Sequence, residues 1–292
     1  MNARKLSSSK LSQTIVQHGY IVEILSPSVA IVSGGRLPHP VRVSRLLGEG
    51  DTNPKTAKND VATMGLSLFP ADGIGFGNVC PHATVCVAPC LAHQGQGPVP
   101  SVAGSRVAKT VLYYLARDWF IAKLHRELSR FRDGVDDIAG VRLNMFSDVP
   151  WEHHGIIDAH PGITFYDYTK NPRRVGMIRP NYWITFSFDG HNWEHAERAL
   201  RAGNNVSAVF YNPVPDGVAV CGKAAHRQTL PTSYRGFPVI DGGKTDWRPD
   251  DPRGVFVGLR LLARTYESRN NAIESGFAQR HRARLVLAGT RS

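Results

Sequence analysis

The chain lacks long apolar runs, and this absence excludes a protein that spans a membrane by helices. No stretch approaches the ~18 consecutive apolar residues that a transmembrane helix requires. Residues 1–20, MNARKLSSSKLSQTIVQHGY, contain neither the apolar segment nor the small-residue cleavage site of a secretory signal. We therefore expect a cytoplasmic protein that has no membrane partner.

Cysteine is also scarce, but its distribution is uneven. Four cysteines occur in 292 residues, too few for the disulfide framework of a secreted protein. Three of them, Cys80, Cys86 and Cys90, lie within eleven residues in the spacing C-x5-C-x3-C, whereas Cys221 is isolated. Thiolates this close on one loop suit one metal ion or three corners of an iron–sulfur cluster. The alternative is that they are three small buried hydrophobic residues.

The spacing leaves the identity of the metal open. Zinc needs a fourth ligand, for which His82 and His93 are near and Cys221 is remote. A [4Fe–4S] cluster bound by three thiolates instead leaves one iron open for a substrate or cofactor. His191 and His195 also have a zinc-like spacing, but no further ligands accompany them, so we expect no second metal site.

The net charge of +11 is concentrated at the two ends of the chain. Residues 1–10 and 280–292 together carry seven basic residues and no acidic residue. Basic arms of this kind bind nucleic acid or another polyanion. Solvated termini that keep a protein soluble have the same composition, so the charge alone does not choose between the two interpretations.

Short apolar runs recur through the second half of the chain. They are apolar on both faces, which is typical of parallel strands covered by helices. Residues 191–202 are a helix-capable spacer between two of them, and apolar periodicity predicts a longer helix over residues 101–132. The runs are VRLNMF (141–146), ITFYDY (163–168), YWITFSF (182–188), VSAVFY (206–211), FPVI (237–240) and VFVGLRLL (255–262).

The predicted fold class is therefore α/β, with a parallel-sheet barrel or a partial TIM-like barrel, and an open doubly wound sheet as the alternative. Residues 1–48 contain short β-branched runs and predict an N-terminal β extension with a basic tail. We expect the barrel-like domain, which includes the cysteine loop, to span residues 49–279. Residues 280–292 are then a basic C-terminal tail.

Polar side chains gather where the predicted strands end, and barrel active sites are built from those ends. Helix caps, strand termini and solvated helix faces are the structural explanations that compete with a functional one. The candidate catalytic residues are Asp148, Glu152, Asp167, Lys170 and Asp241. The candidate cofactor-binding residues are Ser187, Arg106, Lys109 and Arg260. Because the glycine-rich pieces match neither a Walker loop nor a Rossmann fingerprint, ATP and NAD have no positive support.

Several stretches together resemble a family of uncharacterised phage proteins that is common in actinobacteriophages. That family carries a Cys-Pro-x4-Cys-x3-Cys loop, and the matching stretches here cover roughly residues 50–278. Where the family typically has Asp-Gly-Asp, this chain has Asp241-Gly242-Gly243. The resemblance implies a barrel-like α/β protein in the cytoplasm of the infected host cell, but no reaction. The stretches are GLSLFPADGIGFGNVCPHATVCVAPCL, RLNMFSDVPWE, FYDYTK, NYWITFSFDGHNW, PVIDGG with Asp246, and GVFVGLR.

The cysteine loop lies after a predicted strand and before a long helix, which resembles the architecture of radical S-adenosylmethionine enzymes. Their usual spacing is C-x3-C-x2-C, and the Gly-Gly-Glu expected after their second strand is missing here, where the nearest acids are Asp148 and Glu152. The resemblance implies a [4Fe–4S] cluster and S-adenosylmethionine as cofactor. The hypothesis built on it is an iron–sulfur enzyme whose substrate is nucleic acid or a nucleotide-derived molecule. The competing hypothesis is a zinc-stabilised protein that binds nucleic acid or another partner without catalysis.

Overall fold

The computed structural model describes residues 13–49, 61–90, 99–177, 179–213, 228–263 and 265–281. The first of these ranges forms a small antiparallel sheet whose four strands follow one another in chain order. Its alternating pattern buries every second residue of the second strand, as expected for a sheet that covers a core on one face. The strands are β1 (Gln13–Gln17), β2 (Tyr20–Ser26), β3 (Val29–Gly34) and β4 (Val41–Val43).

A larger sheet of ten strands follows, and most of its strand pairs are parallel. Its strands are β5 (Leu47–Glu49), β6 (Ala62–Leu66), β7 (Ala139–Arg142), β8 (Ile163–Thr169), β9 (Tyr182–Ser187), β10 (Asn205–Tyr211), β11 (Ser233–Tyr234), β12 (Phe237–Asp241), β13 (Phe256–Arg260) and β14 (Ala278–Arg280). The order is β11-β12-β13-β10-β9-β8-β7-β6-β5, and β14 pairs with the end of β10. The predicted parallel α/β sheet is therefore confirmed.

The predicted barrel is not observed. Within the described ranges, no pairing joins the two end strands β5 and β11, so the sheet is open there. Both end strands are short and run antiparallel to their neighbours. Closure requires the end strands to pair along their length, and two such short strands offer little length for pairing.

Five α-helices accompany the described strands: α1 (Pro100–Leu115), α2 (Arg117–Asp133), α3 (Ile156–Ala159), α4 (Trp193–Arg201) and α5 (Tyr266–Glu274). The single helix predicted for residues 101–132 is wrong in one respect, because the backbone leaves the helical region at Ala116 (φ −131°, ψ 50°). Arg117 explains the break locally, since its Nε donates to the Tyr113 carbonyl in the last turn of α1. No described helix combines the length and the apolar character needed to cross a bilayer.

Helix α2 anchors the N-terminal sheet through side chains that reach backbone carbonyls. Trp119 Nε1 donates to Ser26 O at 2.9 Å, and Lys123 Nζ donates to Ser28 O at 2.8 Å and to Ser44 O at 2.7 Å. Ser26 is the last residue of β2, and Ser28 and Ser44 lie just after β2 and β4, so α2 binds the sheet where its strands end. The small sheet and the helices therefore share one hydrophobic core.

The two faces of the large sheet differ in chemistry. On one face, Val141 of β7 and Phe165 of β8 lie side by side in register and belong to the same buried cluster as Val111 and Phe120 of α1 and α2. Successive residues of a strand point to opposite faces, so Arg142 and its neighbours in register lie on the other face. That second face carries polar and aromatic side chains.

Candidate functional site

The segment that carries the three cysteines leaves β6 and lies against the loops that follow two other strands. Asp148 N donates to Val79 O at 2.7 Å, and Cys80 Sγ donates to Phe146 O at 3.4 Å, so the segment is fixed to the loop after β7. Thr84 Oγ1 donates to Asp189 Oδ2 at 2.6 Å, which fixes it to the loop after β9. These contacts place the cysteine loop, residues 80–90, at the carboxyl edge of the parallel sheet.

None of the three cysteines of the loop forms a disulfide bond, and all three are half-buried. Burial raises the pKa of Cys80 to about 12, and the charges of Cys90, Asp148 and Cys86 act in the same direction. The thiol of Cys80 is therefore protonated at neutral pH. Cys86, Cys90 and Asp148 lie close enough to Cys80 for their charges to affect it, so the loop brings the three thiols into one neighbourhood.

The sequence predicts that the three sulfurs converge on one metal centre, and this convergence is not observed. In the part of the chain that the structure describes, no group of three or more His, Cys, Asp or Glu side chains is arranged to hold a metal ion. The chemistry of the donor set suits a soft metal, because three free thiols share one short loop. His82 belongs to the described part, whereas His93 and Cys221 lie outside the described residues.

Two of the predicted catalytic acids, Asp148 and Glu152, meet on one buried arginine. Arg174 Nε and Nη2 donate to the two carboxylate oxygens of Glu152 at 2.8 and 3.0 Å, and Arg174 Nη1 donates to Asp148 Oδ1 at 3.2 Å. Asp148 also accepts from Thr169 Oγ1 at 2.7 Å and from Lys170 N at 2.8 Å. The two acids are therefore paired and hydrogen-bonded, which is what buried charges require.

A third predicted acid, Asp167 of β8, lies next to this ion pair. Its carboxylate accepts from Asn144 N at 2.6 Å and from the Tyr182 hydroxyl at 2.8 Å. Tyr182 in turn accepts from Arg174 Nη2, so Asp167 joins the same network. Burial raises the pKa of Asp167 to about 7 despite the opposing effect of Arg174. Among the predicted acids, Asp148, Glu152 and Asp167 are brought together in one network, and Asp148 also contacts the segment that leads into the cysteine loop.

The predicted basic residues divide between two regions. Arg106 lies over the ring of Phe146 at 4.2 Å, and a charge on Cys90 would affect its pKa, so it borders the cysteine loop. Lys109 has Glu127 of α2 as its acidic neighbour. Burial lowers the pKa of Lys109 to about 8, and the charge of Glu127 opposes this effect. Glu127 accepts hydrogen bonds from Leu46 N and Leu47 N, so Lys109 lies near the place where α2 meets the start of β5. The ammonium of Lys170 lies 6.0 Å from the Phe277 ring.

The remaining candidates lie in the half of the sheet formed by β9 to β13. Asp241 and Arg260 form a two-bond ion pair with distances of 2.7 and 2.9 Å, and Arg260 lowers the pKa of Asp241. Ser187 Oγ lies 3.2 Å from Ser207 Oγ on the neighbouring strand. Neither pair has a described contact with the cysteine loop, so these three candidates stay a prediction as parts of the same site.

Sequence reasoning missed Arg174, Asn144 and Tyr182, which hold the acids in place. Arg174 follows β8 by five residues in the turn that begins at Asn171, whose side chain accepts from Arg173 N at 3.0 Å. The sequence offered one signal for Arg174: it is a basic residue that follows a strand ending in polar side chains. No sequence pattern connects Asn144 or Tyr182 to the acids, because their contacts form between different strands.

Comparisons with known proteins place the chain in a family. No curated protein and no solved structure shows a significant match. The sequence model of the family described as gene product 88 matches residues 44–281, which is most of the chain and includes the cysteine loop and the buried acids. The resemblance to a phage-protein family is confirmed at that level, and the chain belongs to the gene product 88 family, a phage-type gene product family.

Proposed function

We propose that this phage-type protein binds an iron–sulfur cluster through Cys80, Cys86 and Cys90. One observation carries the proposal: hydrogen bonds from the loops after β7 and β9 hold the cysteine loop at the carboxyl edge of a parallel sheet. In α/β proteins of this kind, binding and catalytic sites form at that edge. A loop with three free thiols at such a position has both the ligands and the place for a cofactor.

Cluster binding requires the three thiols to converge, and we expect the loop to rearrange when it binds. The segment between Cys80 and Cys90 consists of short turns, closed by bonds such as Ala83 N to Cys80 O at 2.9 Å and Cys90 N to Val87 O at 3.3 Å. These bonds join residues of the loop to one another, so we expect the turns to change while the strands of the sheet stay in place. Metal binding and local folding are commonly coupled in this way.

The chain's own residues would provide the surroundings of the cluster. A [4Fe–4S] cluster held by three thiolates supplies one iron with an open coordination position for a cofactor or substrate. The backbone N–H of Asp148 holds the segment that leads into the loop, and Arg174 pairs with the carboxylate of Asp148. Arg106 lies at the border of the same loop and is suitable for an anionic group of a small-molecule cofactor such as S-adenosylmethionine.

The proposed activity is that of a radical S-adenosylmethionine-like enzyme with a nucleic-acid or nucleotide-derived substrate. It rests on the position of the loop and on the open parallel sheet that follows it. The basic tails, proposed to contact nucleic acid, lie almost entirely outside the described residues. A zinc-stabilised binding protein is the competing function, and the metal content decides between the two.

Anaerobic purification and metal analysis test the cluster assignment. A brown protein with broad absorbance near about 400 nm and about four irons per chain is the expected result. A colourless protein with one zinc per chain would replace the proposal by the zinc-stabilised binding protein. A protein that contains neither metal, and that gains none on anaerobic reconstitution with iron and sulfide, would remove both.

Single substitutions identify the ligands. Cys80→Ser, Cys86→Ser and Cys90→Ser should each abolish the absorbance and lower the iron content, because each removes one of three thiolates. Cys221→Ser is the matched control and should retain the iron. Loss of iron in the Cys221→Ser protein would make Cys221 a fourth ligand and would contradict an open iron position.

A further inference from the structure

The face of the large sheet opposite α1 and α2 is polar where the interior of a parallel sheet is usually aliphatic. Branched aliphatic residues dominate the inner layers of most parallel barrels. Here Arg142, Tyr166, Thr185 and Ser207 occupy consecutive strands on this face, and the last three are fully or almost fully buried. A buried polar surface of this kind is costly unless its groups have partners.

Two of these polar residues, Arg142 of β7 and Tyr166 of β8, form a compact cluster with Trp247. Arg142 and Tyr166 each follow the last registered pair of their neighbouring strands, Val141 and Phe165. The Tyr166 ring meets the Trp247 ring edge-on at a centroid distance of 5.2 Å. Trp247 packs directly beneath Gly140, where a Cβ atom would come within 2.5 Å of Trp247 Cζ3. The absence of a side chain at Gly140 therefore allows the indole to lie against the strand beside Arg142 and Tyr166.

The cluster contains buried donors that lack partners. Among the described residues, nothing accepts a hydrogen bond from Tyr166 Oη, Trp247 Nε1 or Arg142 Nε. Tyr166 is 0% exposed and Trp247 is 6% exposed, so bulk water does not replace the missing acceptors. Unpaired buried donors are rare in folded proteins, and three in one cluster indicate a place where a ligand supplies the acceptors.

The charges around the cluster favour a neutral ligand over an anion. Arg142 Nη1 is paired with Asp246 Oδ2 at 2.8 Å, and Arg248 Nη1 is paired with Asp251 Oδ2 at 3.0 Å. Two cations and two anions leave no excess positive charge to balance a phosphate or a carboxylate. The aromatic rings of Tyr166 and Trp247 match a planar ligand, as does Tyr168, over whose ring Arg142 lies at 4.5 Å.

We propose that Arg142, Tyr166 and Trp247 form a binding site for a nucleobase, a neutral planar ring whose carbonyl oxygens and ring nitrogens accept hydrogen bonds. The proposal deepens the proposed function, on which it rests for a nucleotide-derived substrate. Binding of the base itself requires no cluster. Arg142 is the last residue of β7, and Phe146, whose carbonyl accepts from Cys80, follows it by four residues in the chain.

Calorimetric titration of the metal-free full-length protein with adenosine, guanosine, cytidine and uridine tests the site. We expect at least one nucleoside to bind. Tyr166→Phe, which keeps the ring and removes one donor, should weaken that binding by about fivefold, the effect of one hydrogen bond. Trp247→Phe removes the indole N–H together with one of the two fused rings, so it should weaken binding by at least as much. Tyr166→Phe should not lower the stability of the free protein, since the removed hydroxyl has no described partner.

The matched controls are Tyr113→Phe and Trp119→Phe, whose polar atoms bond to His154 Nε2 and to Ser26 O outside this face. They should leave nucleoside binding unchanged. The proposal is overturned if no nucleoside binds at millimolar concentration, or if binding is unaffected by both test substitutions. It is also overturned if benzoate or inorganic phosphate binds and no nucleoside does. Because metal-free protein is used, failure here is separate from failure of the cluster assignment.

Discussion

Arg174 forms a two-bond ion pair with Glu152, and both side chains are at most 2% exposed. The two residues are far apart in sequence, and neither belongs to a strand or an α-helix. The pair connects the 3-10 turn after β7 to the 3-10 turn after β8. It fixes the two strand-end loops that a cofactor at this edge would contact.

Breaking this ion pair should be strongly destabilising. Glu152→Gln leaves part of a buried guanidinium unpaired, and such losses cost about 3 to 5 kcal/mol. The free energy of unfolding from urea denaturation provides the measurement. Glu197→Gln, which breaks the exposed pair with Arg201, is the control and should cost about 0.5 kcal/mol or less. Equal effects of the two changes would show that the buried pair has no special role.

The stability of the protein should depend on the protonation of Asp167. Its pKa rises from the ordinary 3.8 to about 7 because of burial, so the folded state binds the proton more tightly than the unfolded state. The stabilisation linked to this proton is complete below pH 3.8 and is lost as the pH rises to about 7.

The comparison of wild type with Asp167→Asn isolates this effect. The free energy of unfolding of the wild type, minus that of the variant, should fall by on the order of 4 kcal/mol as the pH rises from 3.8 to about 7. Urea titrations at several pH values measure it. A difference that stays constant with pH would mean that Asp167 titrates normally in the folded protein.

Cys80 should react slowly with alkylating reagents in the metal-free protein. Its pKa of about 12, against 9.0 for an ordinary thiol, lowers the thiolate fraction near neutral pH by about a thousandfold. Iodoacetamide labelling followed by peptide mass spectrometry should therefore modify Cys86 and Cys90 well before Cys80. Asp148→Asn removes one of the charges that raise this pKa and should increase the rate slightly. Equal labelling of all three cysteines would contradict the buried position of Cys80.

The contact between Thr84 and Asp189 should hold the cysteine loop in place. Thr84→Val keeps the shape of the side chain and removes the hydroxyl that donates at 2.6 Å, at a cost of about 1 to 3 kcal/mol because the acceptor is charged. Hydrogen exchange in residues 80–90 should become faster. Ser26→Ala, which removes an acceptor for Ser28 N, is the control and should leave exchange in the loop unchanged. Unchanged exchange in the Thr84→Val protein would show that the contact does not restrain the loop.

Much of the large sheet could be predicted from the sequence. The apolar runs at residues 163–168, 182–188 and 206–211 correspond closely to β8, β9 and β10, and residues 191–202 contain α4. These elements are determined locally, because a strand buried on both faces needs a continuous apolar run and a covering helix needs periodic spacing. The predicted run 141–146 was less accurate, since β7 ends at Arg142 and Asn144 already bonds to Asp167.

The sequence by itself determined the α/β class, the parallel strands and the set of three thiols on one loop, since composition and periodicity are properties of neighbouring residues. Only the tertiary structure decided that Arg174 joins Glu152 to Asp148, that Lys109 lies near Glu127, and that Trp247 lies beneath Gly140 beside Tyr166. Strand order, the course of the strand-end loops and the packing of α1 against α2 created these contacts by bringing together residues far apart in the chain. Such contacts leave no local pattern, because a side chain's partner across a sheet depends on which strands are adjacent.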